Sequence, residues 1–559
     1  MKKIISMLMI SALCVTLLAG CGQRLKDDEK GAVISVYIGS EITNYDPALA
    51  YIDDSAAKVL GLVYEGLTRI GENGKVEKAL MKSYEIFENP EKNEYRMEIT
   101  INETAWSDGR LVAADDIVYA WKRILDPEFS CAASVLLFDV KNARDVKMGD
   151  ISIDDLGIAA VDTDVLEVQF DGKIDYNRFL ENLASLALVP LREDVVERYE
   201  DFGTNTTTMC SNGMFNVREL NEGRALMLER NVYYRRDVKN DAINKYITPY
   251  RLIVNFAADE EENTAMYENG EIFYLGEIAL SKRADYAKKA NISDLLSTHS
   301  VILNTSKSVL KSAENRRALS MAIDRNALVD IVTYAEAATG LISPAVYDKK
   351  VGDSFRKNGG ELISTSADME GAKALAGKTG RFTLTCRDNA LELAVAEYLK
   401  GVWAELGFNV TIEALDYEEY METYANQDYD AITVDYQALS TDSFAALAVF
   451  TPAFAGNGID IQNDNYDLVP YVKGYDSEAY NALIESAYAE TDRAARSAYL
   501  HDAEALLMED MPIIPLFFNK DAYVYNGKVL SKIGEYYMGF KDFSDLTMKN
   551  WRDYLETAE

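Results

Sequence analysis

The chain has 559 residues, 48% apolar and 10% aromatic, with a formal net charge of −35. Its length exceeds what one hydrophobic core organises and predicts two or three domains, while the apolar content excludes a disordered chain. The charge excludes a nucleic-acid binder, which carries a basic footprint.

Lys2 and Lys3 precede an apolar run from Ile4 to Leu18, and Leu17-Leu18-Ala19-Gly20-Cys21 closes the segment. A basic head, a brief apolar stretch and small residues predict a secretory signal over residues 1–20. The run is shorter than the roughly 20 residues a membrane-spanning helix needs. The Leu-Leu-Ala-Gly-Cys ending is similar to a bacterial lipobox, which implies cleavage before Cys21 and lipid on its sulfur. An ordinary signal with a chance cysteine is the alternative. Residues 21–31 are polar and read as a tether.

Ala32 to Ile38 is rich in β-branched residues and predicts a strand ended by Gly39. Asp53-Asp54-Ser55 offers a cap for a helix with Val59, Leu60 and Val63 on one stripe. Glu94 to Ile101 alternates as a strand, and Ala113 to Leu125 has helical spacing until Asp126-Pro127 stops it. Val165 to Phe170 predicts another strand. From Arg381 to Leu439 the pattern is strand, helix, strand, helix, strand, with Gly407 ending the first helix. Short links of that kind argue for a parallel sheet covered by helices. Gly371 to Thr379 approaches a phosphate-binding loop, but five residues separate its glycines instead of four, and a surface helix ending at Gly377 fits better.

Cys131, Cys210 and Cys386 remain once Cys14 and Cys21 are set aside, and no Cys-x-x-Cys occurs. Either one disulfide or three buried thiols fits that spacing. The two histidines, His299 and His501, stand apart and read as surface or packing residues. No nucleophile elbow is present. The residues imply no cofactor, no metal and no enzymatic chemistry.

Several blocks in order resemble one known family. They include Gly39-Ser-Glu-Ile-Thr-Asn-Tyr-Asp46-Pro47, Trp106-Ser-Asp-Gly109 with Ala114 to Pro127, and Ser211-Asn-Gly213 with Leu228 to Tyr234. Leu303-Asn-Thr305 with Asn315 to Arg325, and Met511-Pro-Ile-Ile-Pro-Leu516, complete them. The chain resembles the extracellular solute-binding proteins of peptide- and nickel-type ABC importers, family 5, most of all the oligopeptide-binding branch. The resemblance implies an α/β, two-lobe periplasmic-binding-protein-like fold of the large, cluster C type, with a hinge and an extra inserted domain. It apportions residues 32–72, 186–257 and 513–559 to the first lobe, 73–185 to the extra domain and 258–512 to the second lobe. Trp106 and Trp121 are expected as core anchors.

The implied function is a lipid-anchored binding component that captures short peptides between the lobes and delivers them to membrane permease subunits. The alternatives are the same role for an oligosaccharide or metal chelate, or a surface receptor that senses peptides. The implied location is outside the cytoplasm, anchored to the bacterial cell membrane, as a monomer. Glu41, Ile42 and Thr43 match the family's strand exit facing the ligand. Asn212 and Asn304 sit in matching segments, and Tyr417 matches a cleft aromatic. The branch carries a Trp, two residues and an Asp that meets the peptide α-ammonium. Here Tyr436 stands at the Trp position and Leu439 at the Asp position. A buried ammonium without a counter-charge is costly, so Asp435 or Asp442 is expected to replace it, unless the ligand has no amine there.

Overall fold

The computed structural model describes residues 31–235, 247–256, 259–459 and 468–555. Cys21 and the signal segment lie outside them. Among the described residues no helix is long and apolar enough to cross a membrane.

An eleven-stranded mixed sheet organises the molecule. At one end Arg381–Arg387 pairs in parallel with both Asn409–Leu415 and Ala431–Gln437, as the alternation of strands and helices predicts. Each strand leads into a capped helix. Asn389 accepts from the Glu392 amide at the start of Ala390–Glu405, and Asp416 accepts from Glu419 at the start of Tyr417–Ala425. The first of these helices ends at Gly407, whose φ of +90° suits glycine alone. At the other end Val33–Tyr37 pairs in parallel with Arg251–Asn255 and with Tyr274–Leu275. Ala225–Arg230 and Phe215–Asn221 complete that edge as an antiparallel hairpin.

Two thirteen-residue strands, Asn291–Leu303 and Ile513–Tyr525, join these halves. They pair antiparallel, with the register shifting between Asp294 and Thr298 and again between His299 and Ser300. Pro515 stands at the second shift, where a missing ladder donor is tolerated.

A separate four-stranded antiparallel sheet is formed by Met81–Asn89, Glu94–Ile101, Ile158–Asp162 and Val165–Phe170. Its buried face carries Met97, Ile99, Leu166 and Val168, and Ala114–Leu125 lies among the elements packed on it. Trp106 and Trp121 are fully buried, and their indole N–H groups donate to Asp116 at 2.9 Å and to the Leu188 carbonyl at 3.1 Å. Both are core anchors, with the polar handle of each satisfied. Gly213 lies so close to the Val63 backbone that an added Cβ would stand 2.6 Å from its carbonyl carbon, which is why the Ser-Asn-Gly block ends in glycine.

The three cysteines are free thiols. Burial pushes Cys131 up to about 11 and Cys386 up to about 12, so both act as apolar packing groups.

Candidate functional site

A cavity of about 870 Å³ lies between the two halves of the large sheet. One wall carries Thr43, Asp53 and Glu277, and the other carries Arg387, Glu392 and Tyr417. The two long strands contribute His299, Phe517 and Asn519 at its back.

The polar centre is assembled from four strands and one helix. Asp435 is half-buried on the strand Ala431–Gln437, with 28% of its side chain accessible. His299 Nδ1 lies 2.9 Å from its Oδ1, and the Asn519 amide donates to the same oxygen at 2.7 Å. Arg387, at the end of its strand, reaches Oδ2 at 3.4 Å and Glu392 at 3.7 Å. Glu392 enters from the first turn of its helix and accepts from the Thr433 hydroxyl at 2.7 Å. Burial works against an ionised Asp435, but His299 and Arg387 hold its carboxyl well below the usual range. Across the cavity, Asp53 lies 3.8 Å from Arg387. Burial, with Asp53 close by and hydrogen-bonded, raises the Tyr417 phenol well above its usual value.

His299, Glu392 and Asp435 bring three ligand-type atoms within 4.8 Å of one another. The Arg387 guanidinium beside both carboxylates supplies one of the two positive charges a divalent metal would bring. On the opposite wall Glu277 accepts from Tyr37 at 3.2 Å and Ser55 at 3.3 Å. Burial and nearby Glu260 push it up to about 7.

Of the residues singled out from sequence, Thr43, Tyr417, Asp435 and Tyr436 line this cavity, as does Leu439. Tyr436 is nonetheless buried at 4% exposure, and its hydroxyl donates to the Ala446 carbonyl. The others lie outside the lining. Glu41 accepts from the Gly223 amide, and Ile42 is a core residue. Asn212 is buried and bonds both the amide and the carbonyl of Glu65. Asn304 is buried and donates to the Tyr429 carbonyl. Asp442 corrects the expectation most sharply. It caps Ser443–Ala448 and pairs with Arg496 at 2.9 Å and Arg493 at 3.3 Å, inside a buried network away from the cavity. It therefore has no free carboxylate for an ammonium.

His299, Arg387, Glu392 and Asn519 were missed. Periodicity does not mark them, because each sits where its strand or helix reaches the cleft and their meeting is tertiary. The only sequence signal was a scarce histidine inside a polar Ser-Thr-His-Ser run.

The family follows from both fold and sequence. A family model described as bacterial extracellular solute-binding proteins, family 5 Middle, matches residues 75–458, and the chain belongs to that family. The oligopeptide-binding protein OppA of Bacillus subtilis (strain 168) is 24% identical, covering 96% of this chain and 99% of that one. The dipeptide-binding protein DppE of the same organism is 25% identical, covering 89% and 88%. The solved structure of the pheromone receptor PrgZ, described with its mode of peptide binding, superposes with a TM-score of 0.78. It is 22% identical and covers 93% of this chain and all of that one.

Proposed function

We propose that this protein is the solute-capturing component of an ABC importer, held to the outer face of the cell membrane through lipid on Cys21. It takes short peptides into the cavity and passes them intact to permease subunits, acting as a monomer. The observation that carries this reading is the cavity itself, walled from both halves of a sheet that two irregular strands join. Burying a solute there lets binding shift an open–closed equilibrium. The names of the relatives support peptide as the ligand class.

The proposed lobes follow strand pairing. Residues 259–290 go with the first lobe, because Tyr274 and Leu275 pair beside Val36 and Tyr37. Residues 291–512 form the second, and 73–185 form the extra domain. Within the cavity Thr43, Tyr417 and Asp435 are the proposed ligand contacts, with Asp435 the one remaining candidate for an ammonium of the two weighed.

Native mass spectrometry of protein purified without denaturation, then loaded with a mixed peptide pool, tests the reading. Peptides retained and released uncleaved are the expected result. An empty cavity after exposure to the pool, or cleaved peptides, overturns it. Radioactive fatty-acid labelling that survives Cys21→Ala overturns the anchor. A sensing role is the second reading, favoured by the likeness to a pheromone receptor. Uptake of a retained peptide by cells, lost when the gene is deleted, separates transport from sensing.

A further inference from the structure

His299 lies on Asn291–Leu303 between the two breaks in register. Such irregularities interrupt the ladder and bend the strands, which gives the two halves a place to swing. Three residues, 295–297, face only Asn519 across the first break. Asn519 donates to Ser297 Oγ at 2.8 Å and to Asp435 Oδ1 at 2.7 Å. His299 approaches that same oxygen from the other strand. One carboxylate on the second half thus holds both joining strands.

The charges around His299 come from each element packed on it. Glu392 Oε2 on the helix is 3.8 Å from Nε2, and Asp435 is on the neighbouring strand. Arg387 reaches both carboxylates from a third strand. Phe517, on the partner long strand, stacks on the imidazole with centroids 4.7 Å apart and brings no charge. The His299 Nε2 is fully buried and has no hydrogen-bond partner. Two carboxylates and one guanidinium leave one negative charge over, which an imidazolium cancels. With a neutral imidazole that charge stays buried and uncompensated, a costly state. Asp53, 3.8 Å from Arg387 on the opposite wall, then competes with both carboxylates for that guanidinium.

We infer that closure of the cleft is linked to a proton on His299. The imidazolium fixes both joining strands to Asp435 and leaves Arg387 able to meet Asp53 across the cavity. Loss of the proton, to solvent, weakens that tie and favours the open form. The inference rests on the cavity being a closing cleft. Burial opposes a charged His299, but Glu392 and Asp435 raise it above its ordinary value against the effect of Arg387. A raised histidine gives its full stabilisation below the unfolded value of about 6.5 and loses it as pH rises through the folded value. The inference requires the closed form to hold this proton more tightly than the open one, so closure falls as pH rises through the closed-form value of His299.

The mature chain offers a direct test, because it holds only two histidines. His501 bonds Asp348 and stacks on Phe355 away from the cavity, so His501→Gln leaves His299 as the sole imidazole. Its proton resonance is expected to titrate with a midpoint above about 6.5. A midpoint at or below that value overturns the inference. X-ray scattering without ligand is expected to give a radius of gyration that rises with the same midpoint. The rise should vanish in His299→Gln and, should that variant fold poorly, in Asp435→Asn. Burial and Glu260 push Glu277 on the opposite wall up to about 7, so Glu277→Gln is the control and should keep the pH dependence. A flat wild-type profile, or one abolished only by Glu277→Gln, overturns the inference. Neither measurement uses a peptide, so failure of peptide capture and failure of the proton link are read separately.

Discussion

Two charged networks of similar composition, one around Asp442 and one around Asp435, are built differently. Around Asp442, Arg496 is fully buried and lies 2.9 Å from Asp442 and 3.2 Å from Asp175. Arg493 lies 2.7 Å from Glu181 and 3.3 Å from Asp442. Around Asp435 the guanidinium contacts run from 3.4 to 3.8 Å, and Arg387 and Asp435 keep 31% and 28% of their side chains exposed. The first network bolts residues 175–181 to the helix Arg493–Asp510. The second has longer contacts and faces the cavity, so under the proposed function it is the one free to adjust to a ligand. Short, dry pairs mark what stays fixed, and longer, partly wet ones mark what adjusts.

The largest expected effect falls on the fixed network. Asp442→Asn leaves Arg496 and Arg493 short of a partner in a dry site, and breaking a buried pair costs about 3–5 kcal/mol. Urea unfolding should show that loss while peptide retention per folded molecule stays unchanged. Arg496, Arg493 and Arg178 hold Asp442 below the ordinary carboxylate range against the opposing effect of burial. A depressed carboxyl stabilises above its unfolded value of about 3.9, and the contribution fades as pH falls through the folded value. The gap between wild type and variant should thus narrow only in strong acid. A neutral-pH gap near zero breaks the contrast.

Asn212→Ala should come next. It strips the partner from both the amide and the carbonyl of Glu65, and unsatisfied buried groups cost about 1–3 kcal/mol. Thermal unfolding checks the size. Peptide affinity that falls while stability holds would return Asn212 to the cleft.

How much of this was legible in the sequence follows the same division. The parallel unit at 381–437 reads directly, because β-branched alternation and a helical stripe of Val395, Leu399 and Val402 repeat over short links. The strands Asn291–Leu303 and Ile513–Tyr525 did not read as strands. Ser297-Thr298-His299-Ser300 breaks the apolar pattern of one, and Pro512 and Pro515 argue against the other. Ser297 to Ser300 and Pro515 lie at the two register shifts, where the proposed joint falls. The sequence put Asp435 and Asp442 on equal terms, one on the strand Ala431–Gln437 and the other just after it. Only the tertiary placement of Arg493 and Arg496 separates them.

The smallest stability effect and the most informative one belong to Asp435→Asn. The amide keeps the shape and still accepts from His299 and Asn519 through its oxygen, and the side chain is partly wet. The expected stability loss is therefore about 1 kcal/mol, the size of an ordinary hydrogen-bond change. If Asp435 meets the ligand's ammonium, calorimetry with the peptide pool should show affinity falling about tenfold, or about 1.4 kcal/mol. The Asp442→Asn variant should bind as wild type does. Equal affinity in wild type and Asp435→Asn would remove Asp435 from ligand recognition and leave it as a tie for the joining strands. Equal losses in both variants would show that the two networks move together, and the distinction drawn from their distances would fall.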